Sequence, residues 1–164
     1  MTIPGGPWPV ASLDPIARAR VLGAAIPASA FAEVVLDAPY DTTWAWVSDL
    51  PHAVPRFDTQ VRRLEVRSRW TEGDAERLVI TAWSGPGVPL GFDVWLEDGF
   101  CLMRGRHRLY VVVMAARPEG DGTRTRFAHV EAVPLPGARL MRGALKRAVD
   151  ADMRNLARLA ASGF

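Results

Sequence analysis

The chain has 164 residues, of which 49% are hydrophobic and 23% are charged, and these values predict one globular domain with a substantial core. The formal net charge of +2 is too small to indicate nucleic acid binding. A single cysteine, Cys101, excludes an intramolecular disulfide, and no apolar run approaches the length of about 20 residues that a membrane span needs. Arg18, Arg20 and Pro27 interrupt the region where a signal peptide requires an apolar stretch, so we predict a cytoplasmic protein.

Residues 1–30 are predicted to form an N-terminal extension that precedes the main domain. Residues 1–11 contain three prolines and two glycines, which favour an irregular arm. A short helix is expected over residues 15–25, because Ser12 or Asp14 suits its N-cap and Pro15 suits its first turn.

The main domain is predicted to begin with a strand over residues 31–37, followed by two short helices. Pro39 suits the first turn of a helix over residues 40–50, because a proline has no N–H to donate to a sheet. A second short helical segment is expected over residues 50–56, where Pro51 and Pro55 limit its length.

Six further strands are predicted between residues 61 and 133. Leu64, Val66 and Ser68 alternate with charged residues, and this pattern indicates a sheet with one wet face. Asp98–Gly99 and residues 119–122 are strong turn signals. The predicted strands cover residues 61–70, 75–83, 90–97, 100–106, 108–117 and 123–133.

A long C-terminal helix is predicted over residues 137–161, because Pro134 and Pro136 end the sheet just before it. Apolar residues recur at helical spacing along one side of this segment. They are Met141, Leu145, Ala148, Val149 and Leu156.

The order of these elements, together with several motifs, resembles the START-like (SRPBCC) superfamily, which includes polyketide cyclases and aromatases. The matching motifs are Ala38–Pro39, Trp44, Asp49, Pro55 and Gly122–Thr123, followed by a proline-bounded junction with the terminal helix. The resemblance covers residues 31–162, which we predict to form one ligand-binding domain. It implies an α+β helix-grip fold, in which a curved seven-stranded antiparallel sheet wraps around the long C-terminal helix and two short helices separate strands 1 and 2.

A strongly twisted antiparallel sheet curls, and one helix across its concave face is expected to leave an apolar cavity. The resemblance implies that this cavity holds a hydrophobic small molecule, without a metal or redox cofactor. The sequence also lacks zinc-ligand spacing among His52, His107 and His129, and it lacks nucleotide-binding and serine-hydrolase motifs. We therefore predict a small-molecule partner, with no cofactor, no metal, no nucleic acid and no integral membrane association, and leave a homodimer open.

His129 is the first candidate for chemistry. It shares one face of the last predicted strand with Phe127 and Glu131, whereas Arg124 and Arg126 take the other face. Since arginines prefer water, His129 should face inward. There it could exchange protons near neutral pH, with Glu131 in the same pocket. The alternative interpretation is a core histidine that bonds to a backbone carbonyl.

Three further polar positions are candidates for binding a ligand. Arg104 and Arg106 could hold an enolate or phenolate oxygen if their strand turns them into the hollow, or they could form a charged row on the outside. Tyr110 lies in an apolar run. Its hydroxyl could hydrogen-bond to the ligand, or its side chain could simply pack in the core. Asp93 would contribute a carboxylate to the cavity or to the solvent side.

The remaining wall of the predicted cavity is apolar and aromatic, and tryptophan rings could stack on a flat ligand. Core packing is the alternative role for the same side chains. The predicted ligand-binding residues are Trp44, Leu64, Val66, Trp83, Phe92, Asp93, Tyr110, Phe127, Met141 and Leu145.

The favoured hypothesis is a cofactor-independent enzyme similar to polyketide cyclases and aromatases, which promotes aldol cyclisation or dehydration. His129 and Glu131 would exchange the proton, and Arg104 or Arg106 would hold the oxyanion. One alternative is a non-catalytic carrier or sensor of a lipid or isoprenoid quinone. Another is a protein-interaction role for the N-terminal segment.

Overall fold

The computed structural model describes residues 13–85, 87–107 and 109–164. The predicted irregular arm and Ser12 lie outside the described residues. The described residues form four α-helices, one 3-10 helix and seven strands. In chain order they are α1 (Pro15–Ala25), β1 (Ser29–Leu36), α2 (Tyr40–Ser48), α3 (Leu50–Phe57), β2 (Val61–Glu72), β3 (Ala75–Ser84), β4 (Pro89–Glu97), β5 (Phe100–Gly105), β6 (Val111–Glu119), β7 (Arg124–Ala132), the 3-10 helix (Ala138–Met141) and α4 (Arg142–Ala161).

All seven strands pair in one antiparallel sheet with the order β1-β7-β6-β5-β4-β3-β2. This arrangement confirms the predicted α+β architecture, with two short helices between the first two strands and a long helix at the end. The main core lies between one face of the sheet, which we name the inner face, and helices α2 to α4. Val47, Phe57 and Leu156 come from these three helices and are fully buried there.

Helix α1 packs on the opposite, outer face of the sheet. It begins as predicted at Asp14, whose Oδ1 accepts hydrogen bonds from the backbone N–H groups of Ile16 at 3.0 Å and Ala17 at 3.1 Å. Ile16, Ala19 and Gly23 are buried against β6, β7 and the start of β5. The outer face is therefore apolar where α1 covers it, and this determines how the strand arginines are to be interpreted.

A β-bulge in β2 changes which of its residues face inward. The register with β3 shifts between Val66, which pairs with Ile80, and Ser68, which pairs with Val79. Because one extra residue reverses the alternation, Ser68 moves to the outer face. The prediction that Ser68 shares a face with Leu64 was therefore wrong.

Helix α4 begins at residue 142 instead of 137, because residues 138–141 form the tighter 3-10 helix. Leu145, Val149 and Leu156 are buried, as the helical spacing predicts. Met141 is 47% exposed, so its predicted place in the apolar stripe was wrong. Among the described residues, no helix combines the length and apolar character that a membrane crossing requires.

Cys101 lies on β5 and is completely buried in the main core. Burial raises the pKa of its thiol to about 12, so little of the reactive thiolate exists near neutral pH. We expect the folded protein to resist a thiol-reactive disulfide reagent at about pH 8, and to react with one equivalent once urea unfolds it. The absorbance of the released thiol measures this difference, and fast modification of the folded protein would contradict the buried position.

Candidate functional site

A cavity of about 120 Å³ lies between helix α3 and the inner face of strands β2 to β7, and β7 contributes Glu131. Its wall contains residues that pair across neighbouring strands, since Leu64 lies opposite Ala82, and Ala82 lies opposite Leu90. No residue of helix α4 lines the cavity, because α4 packs against β1 and β7, at the opposite edge of the sheet from β2. The cavity is lined by Val54, Asp58, Gln60, Val61, Leu64, Ile80, Ala82, Ser84, Leu90, Phe92, Met103, Tyr110, Val112 and Glu131.

The position of the cavity corrects one expectation from the sequence. The cavity was expected to lie against the terminal helix. Instead, α3 and the inner face of β2 to β7 enclose it. Ser84 and Leu90, which flank the loop between β3 and β4, do line the cavity. Gln60 and Leu90 are exposed, and they mark the rim where the cavity approaches the surface.

One end of the cavity is polar and is organised around Glu131. The Tyr110 hydroxyl donates a hydrogen bond to Glu131 Oε2 at 2.7 Å, and the Gln60 side-chain amide donates to the same oxygen at 3.2 Å. Burial raises the pKa of Tyr110 above its ordinary value, and the neighbouring Glu131 carboxylate raises it further. Tyr110 therefore stays protonated and can present its hydroxyl oxygen to a ligand.

Asp58 lies at the same polar end, immediately after helix α3. Its Oδ1 accepts hydrogen bonds from the backbone N–H groups of Gln60 at 2.7 Å and Val61 at 3.1 Å. Burial raises the pKa of Asp58 to about 6, helped by the negative charges of Asp152 and Glu131. The protonated and ionised forms of Asp58 are therefore both accessible near neutral pH, which suits a group that exchanges protons.

His129 lies behind the cavity wall and is 1% exposed. Its Nε2 atom is 3.6 Å from Glu131 Oε1 and 3.7 Å from Asp152 Oδ2, both too long for hydrogen bonds. Burial lowers the pKa of His129, but the carboxylates of Glu131, Asp152 and Asp58 outweigh burial, so its pKa is raised above the ordinary value. His129 points inward, yet it does not contact the cavity directly.

Asp152 completes this cluster from helix α4 and was not predicted from the sequence. Its Oδ1 accepts hydrogen bonds from Thr59 through the backbone N–H at 2.8 Å and the hydroxyl at 2.9 Å. Burial raises the pKa of Asp152, although the Thr59 bonds and His129 act in the opposite direction. A signal was present, because Asp152 follows Val149 by three residues and precedes Leu156 by four, on the buried stripe of the helix.

His129, Glu131 and Asp152 together have the residue types that bind metal ions. One ligand atom from each of them lies within 4.8 Å of the other two, and all three residues are buried. The prediction of no metal rested on the family resemblance and on the absence of zinc-ligand spacing among the histidines. A set built from one histidine and two carboxylates on separate elements escapes that criterion.

The structure does not bring Arg104 and Arg106 to the cavity, so the prediction that they hold an oxyanion there was wrong. Both side chains are exposed on the outer face. Arg104 pairs in register with Asp93, and Arg106 Nε is 3.7 Å from Asp93 Oδ1. Asp93 therefore belongs to the solvent side, which corrects its predicted place in the cavity and agrees with the alternative interpretation.

Of the predicted wall residues, only Leu64, Phe92 and Tyr110 line the cavity. Trp83 lies on the outer face, where the guanidinium carbon of Arg63 is 4.7 Å from its ring centroid. The other predicted members are in the core or at the surface. Trp44 and Phe127 are buried in the main core, Val66 packs against it, Leu145 is buried in a separate small cluster, and Met141 is exposed.

No protein-family model matches the sequence, and no curated protein matches it. The fold, in contrast, is similar to that of many solved structures. A protein from Thermobifida fusca, solved by NMR, is 17% identical with a TM-score of 0.61, and the match covers 82% of this chain and 94% of that chain. An 18 kDa protein from Caulobacter crescentus is 20% identical with a TM-score of 0.59, and covers 82% and 92% of the two chains.

A third similar structure is the di-domain aromatase/cyclase StfQ of the steffimycin biosynthetic pathway. It is 11% identical with a TM-score of 0.57, and the match covers 89% of this chain and 54% of StfQ. At these identities the similarity concerns the fold alone. The antiparallel seven-stranded sheet, the two short helices after β1 and the long terminal helix give this chain a helix-grip fold.

Proposed function

We propose that the protein binds a small, largely apolar molecule that carries a hydrogen-bonding oxygen, and that it transfers a proton on this molecule. The observation that carries the proposal is the cavity, which has a largely apolar wall and a polar end formed by Asp58, Gln60, Tyr110 and Glu131. Apolar contacts supply affinity in such sites, whereas a few convergent polar groups fix the orientation of the ligand.

The volume of the cavity limits the size of the ligand. A cavity of about 120 Å³ is close to the engineered cavity of about 150 Å³ that binds benzene. It is smaller than the range of about 300–1,000 Å³ typical of drug-sized ligands. We therefore favour a single-ring molecule over a polycyclic polyketide or a long prenyl quinone, each of which would require the cavity to enlarge.

The proposed chemistry is cofactor-independent enolisation, the step shared by aldol cyclisation and dehydration. Asp58 is the proposed base, because it lines the cavity and leaves its Oδ2 outside the hydrogen bonds that anchor Oδ1. The Gln60 side-chain amide is the proposed donor to the substrate oxygen at the same end of the cavity, because it has a second N–H beside the one that it donates to Glu131, whereas the single Tyr110 hydroxyl proton is already donated to Glu131. Thus Asp58 replaces His129 in the base role, since His129 lies behind the wall. Glu131 orients Tyr110.

Binding is tested with two single-ring probes, p-cresol and toluene, by isothermal titration calorimetry. We expect p-cresol to bind about three- to tenfold more tightly than toluene, because its hydroxyl gains one hydrogen bond at the polar end. The variant Ala82→Phe fills the cavity and should weaken binding of both probes at least about tenfold. The matched control is Thr81→Phe, the preceding residue on β3, which faces outward and should bind as the wild type does. Equal binding by Ala82→Phe would contradict the proposed site.

Proton transfer is tested with cyclohexanone, an enolisable single-ring ketone, in deuterated water. NMR should show faster loss of the α-hydrogens with the wild-type protein than with buffer or with Ala82→Phe. Asp58→Asn should abolish this acceleration while retaining p-cresol affinity within about threefold, because the amide keeps an oxygen for the two backbone bonds. No acceleration by the wild type would overturn the catalytic part and leave a binding protein.

A further inference from the structure

The cluster behind the cavity wall contains buried polar atoms that nothing in the described structure satisfies. His129 Nε2 and Asp152 Oδ2 are buried and have no hydrogen-bond partner among the described residues. Both atoms belong to side chains that are at most 1% exposed, and they face each other across 3.7 Å. Because an unsatisfied buried polar atom is costly, two of them that face one point would be stabilised by a cation that contacts both.

The two carboxylates of the cluster are held by their far oxygens. Glu131 uses Oε2 to accept hydrogen bonds from Tyr110 and Gln60, and Asp152 uses Oδ1 to accept both bonds from Thr59. The near oxygens, Glu131 Oε1 and Asp152 Oδ2, are left to face His129 Nε2. Outer donors that fix carboxylate orientation in this way are a regular feature of metal sites.

The spacing of the three near atoms suits a shared cation. Two ligand atoms that each bind one zinc ion at about 2.1 Å lie about 3.4 Å apart at a tetrahedral angle. The distances from His129 Nε2 to the two carboxylate oxygens are 3.6 Å and 3.7 Å, only slightly larger. One ligand atom of each of the three residues lies within 4.8 Å of the other two. Small side-chain rotations would therefore complete the coordination.

The charge of the cluster also favours a cation. Glu131 and Asp152 are both buried, and Asp58 raises the local negative charge further. Among the described residues, no Lys or Arg forms an ion pair with Glu131 or Asp152, and His129 is the basic side chain that faces them. Buried carboxylates need a compensating positive charge, and a divalent ion held by both would supply it.

We propose that His129, Glu131 and Asp152 bind a divalent transition-metal ion of the Zn²⁺ and Mn²⁺ type. One imidazole with two carboxylates favours these ions over Mg²⁺ and Ca²⁺, which prefer oxygen ligands alone. The elements that carry the ligands are well separated in sequence but adjacent in the fold: β7 presents His129 and Glu131 on one face, and α4 presents Asp152 opposite them. This inference goes beyond the proposed function, because ion binding does not require the organic ligand.

The test is titration of chelator-treated full-length protein with ZnCl2, MnCl2 and MgCl2, followed by calorimetry and thermal unfolding. We expect one Zn²⁺ per chain, a higher Tm with Zn²⁺ or Mn²⁺, and no effect of Mg²⁺ at the same concentration. Asp152→Asn should weaken Zn²⁺ binding at least about a hundredfold. Asp152 is a proposed ligand, and even replacing a residue that only supports a ligand costs up to about a hundredfold. Asp150→Asn, on the same helix but in an exposed pair with Lys146, is the matched control and should bind as the wild type does.

Two further measurements make the outcome decisive. The double variant His52→Ala/His107→Ala removes exposed histidines and should leave the stoichiometry at one, because neither belongs to the cluster. Co²⁺ added to the wild-type protein should produce the visible absorption bands of a bound ion, which gives a result even if Asp152→Asn fails to fold. Absence of stoichiometric Zn²⁺, Mn²⁺ and Co²⁺ binding would overturn the inference. In that case, protons shared among the three side chains would compensate the buried carboxylates. If the wild-type protein binds Zn²⁺ but does not bind p-cresol, the proposed function is overturned and the metal site is not.

Discussion

Replacing Phe127 by alanine is expected to destabilise the protein by about 3–5 kcal/mol, the usual cost of removing a fully buried aromatic ring. Phe127 is 0% exposed and lies on β7 in the main core, between Val34 of β1 and Ala116 of β6 in the sheet register. Its deletion removes a large apolar surface and leaves a space that neighbouring strands cannot close. Urea unfolding followed by circular dichroism measures the loss in free energy of unfolding.

Trp70→Ala is the control for Phe127→Ala. Trp70 is also an aromatic residue on a strand, but it is 46% exposed, so its removal should cost less than about 1 kcal/mol. The pair separates core packing from a ligand-binding role for Phe127. A small loss of stability with a large loss of p-cresol affinity would place Phe127 in the cavity wall and contradict the core position.

Replacing Gly99 by alanine is expected to cost at least about 2 kcal/mol more than the same change at Gly73. Both glycines lie in hairpin turns with left-handed backbone, at φ values of 70° and 63°. A β-carbon at Gly99 would lie 2.7 Å from the backbone oxygen of Ala116 and 3.1 Å from the Tyr40 hydroxyl, whereas a β-carbon at Gly73 would meet nothing within 4 Å. The Gly73 variant therefore carries only the conformational cost, about 1–2 kcal/mol.

The crowding at Gly99 also predicts where the strain appears. The Gly99 carbonyl accepts a hydrogen bond from Ala116 N–H at 2.8 Å, and Tyr40 donates to Asp98 at 2.6 Å beside it. A β-carbon must displace the hairpin from β6 or from Tyr40, so Ala116 amide exchange with deuterium should accelerate in Gly99→Ala and not in Gly73→Ala. Equal free energies of unfolding for the two variants would contradict the close packing around Gly99.

Local chemistry in the sequence was sufficient to predict the elements. Asp14 and Pro15 predicted the start of α1, Asp98–Gly99 predicted the hairpin between β4 and β5, and period-two alternation predicted the strands. These features depend on backbone conformation and on neighbours a few residues away, so they can be predicted from a single sequence. The order of elements then indicated the helix-grip fold, which the structure confirms.

The direction of the strand arginines could not be predicted in the same way. Arg104 shares its face with Phe100 and Leu102, so the sequence left open whether this face meets the interior or the solvent. The deciding feature is helix α1, which covers part of the outer face and makes it apolar where Phe100 packs. Alternation distinguishes two faces of a strand but not which one meets the main core when both are covered.

The position of the cavity and the composition of the cluster were decided only by tertiary structure. Helix α4 packs over β1 and β7, which leaves the space under β2 to β6 to be closed by α3. That packing brings Asp152 within 3.7 Å of His129 and brings Thr59 to Asp152, although these residues are far apart in sequence. Residue patterns alone were sufficient to predict the helices, the strands and the inward direction of His129. Which groups surround His129 depends on long-range contacts, because packing between elements has no short-range pattern in the chain.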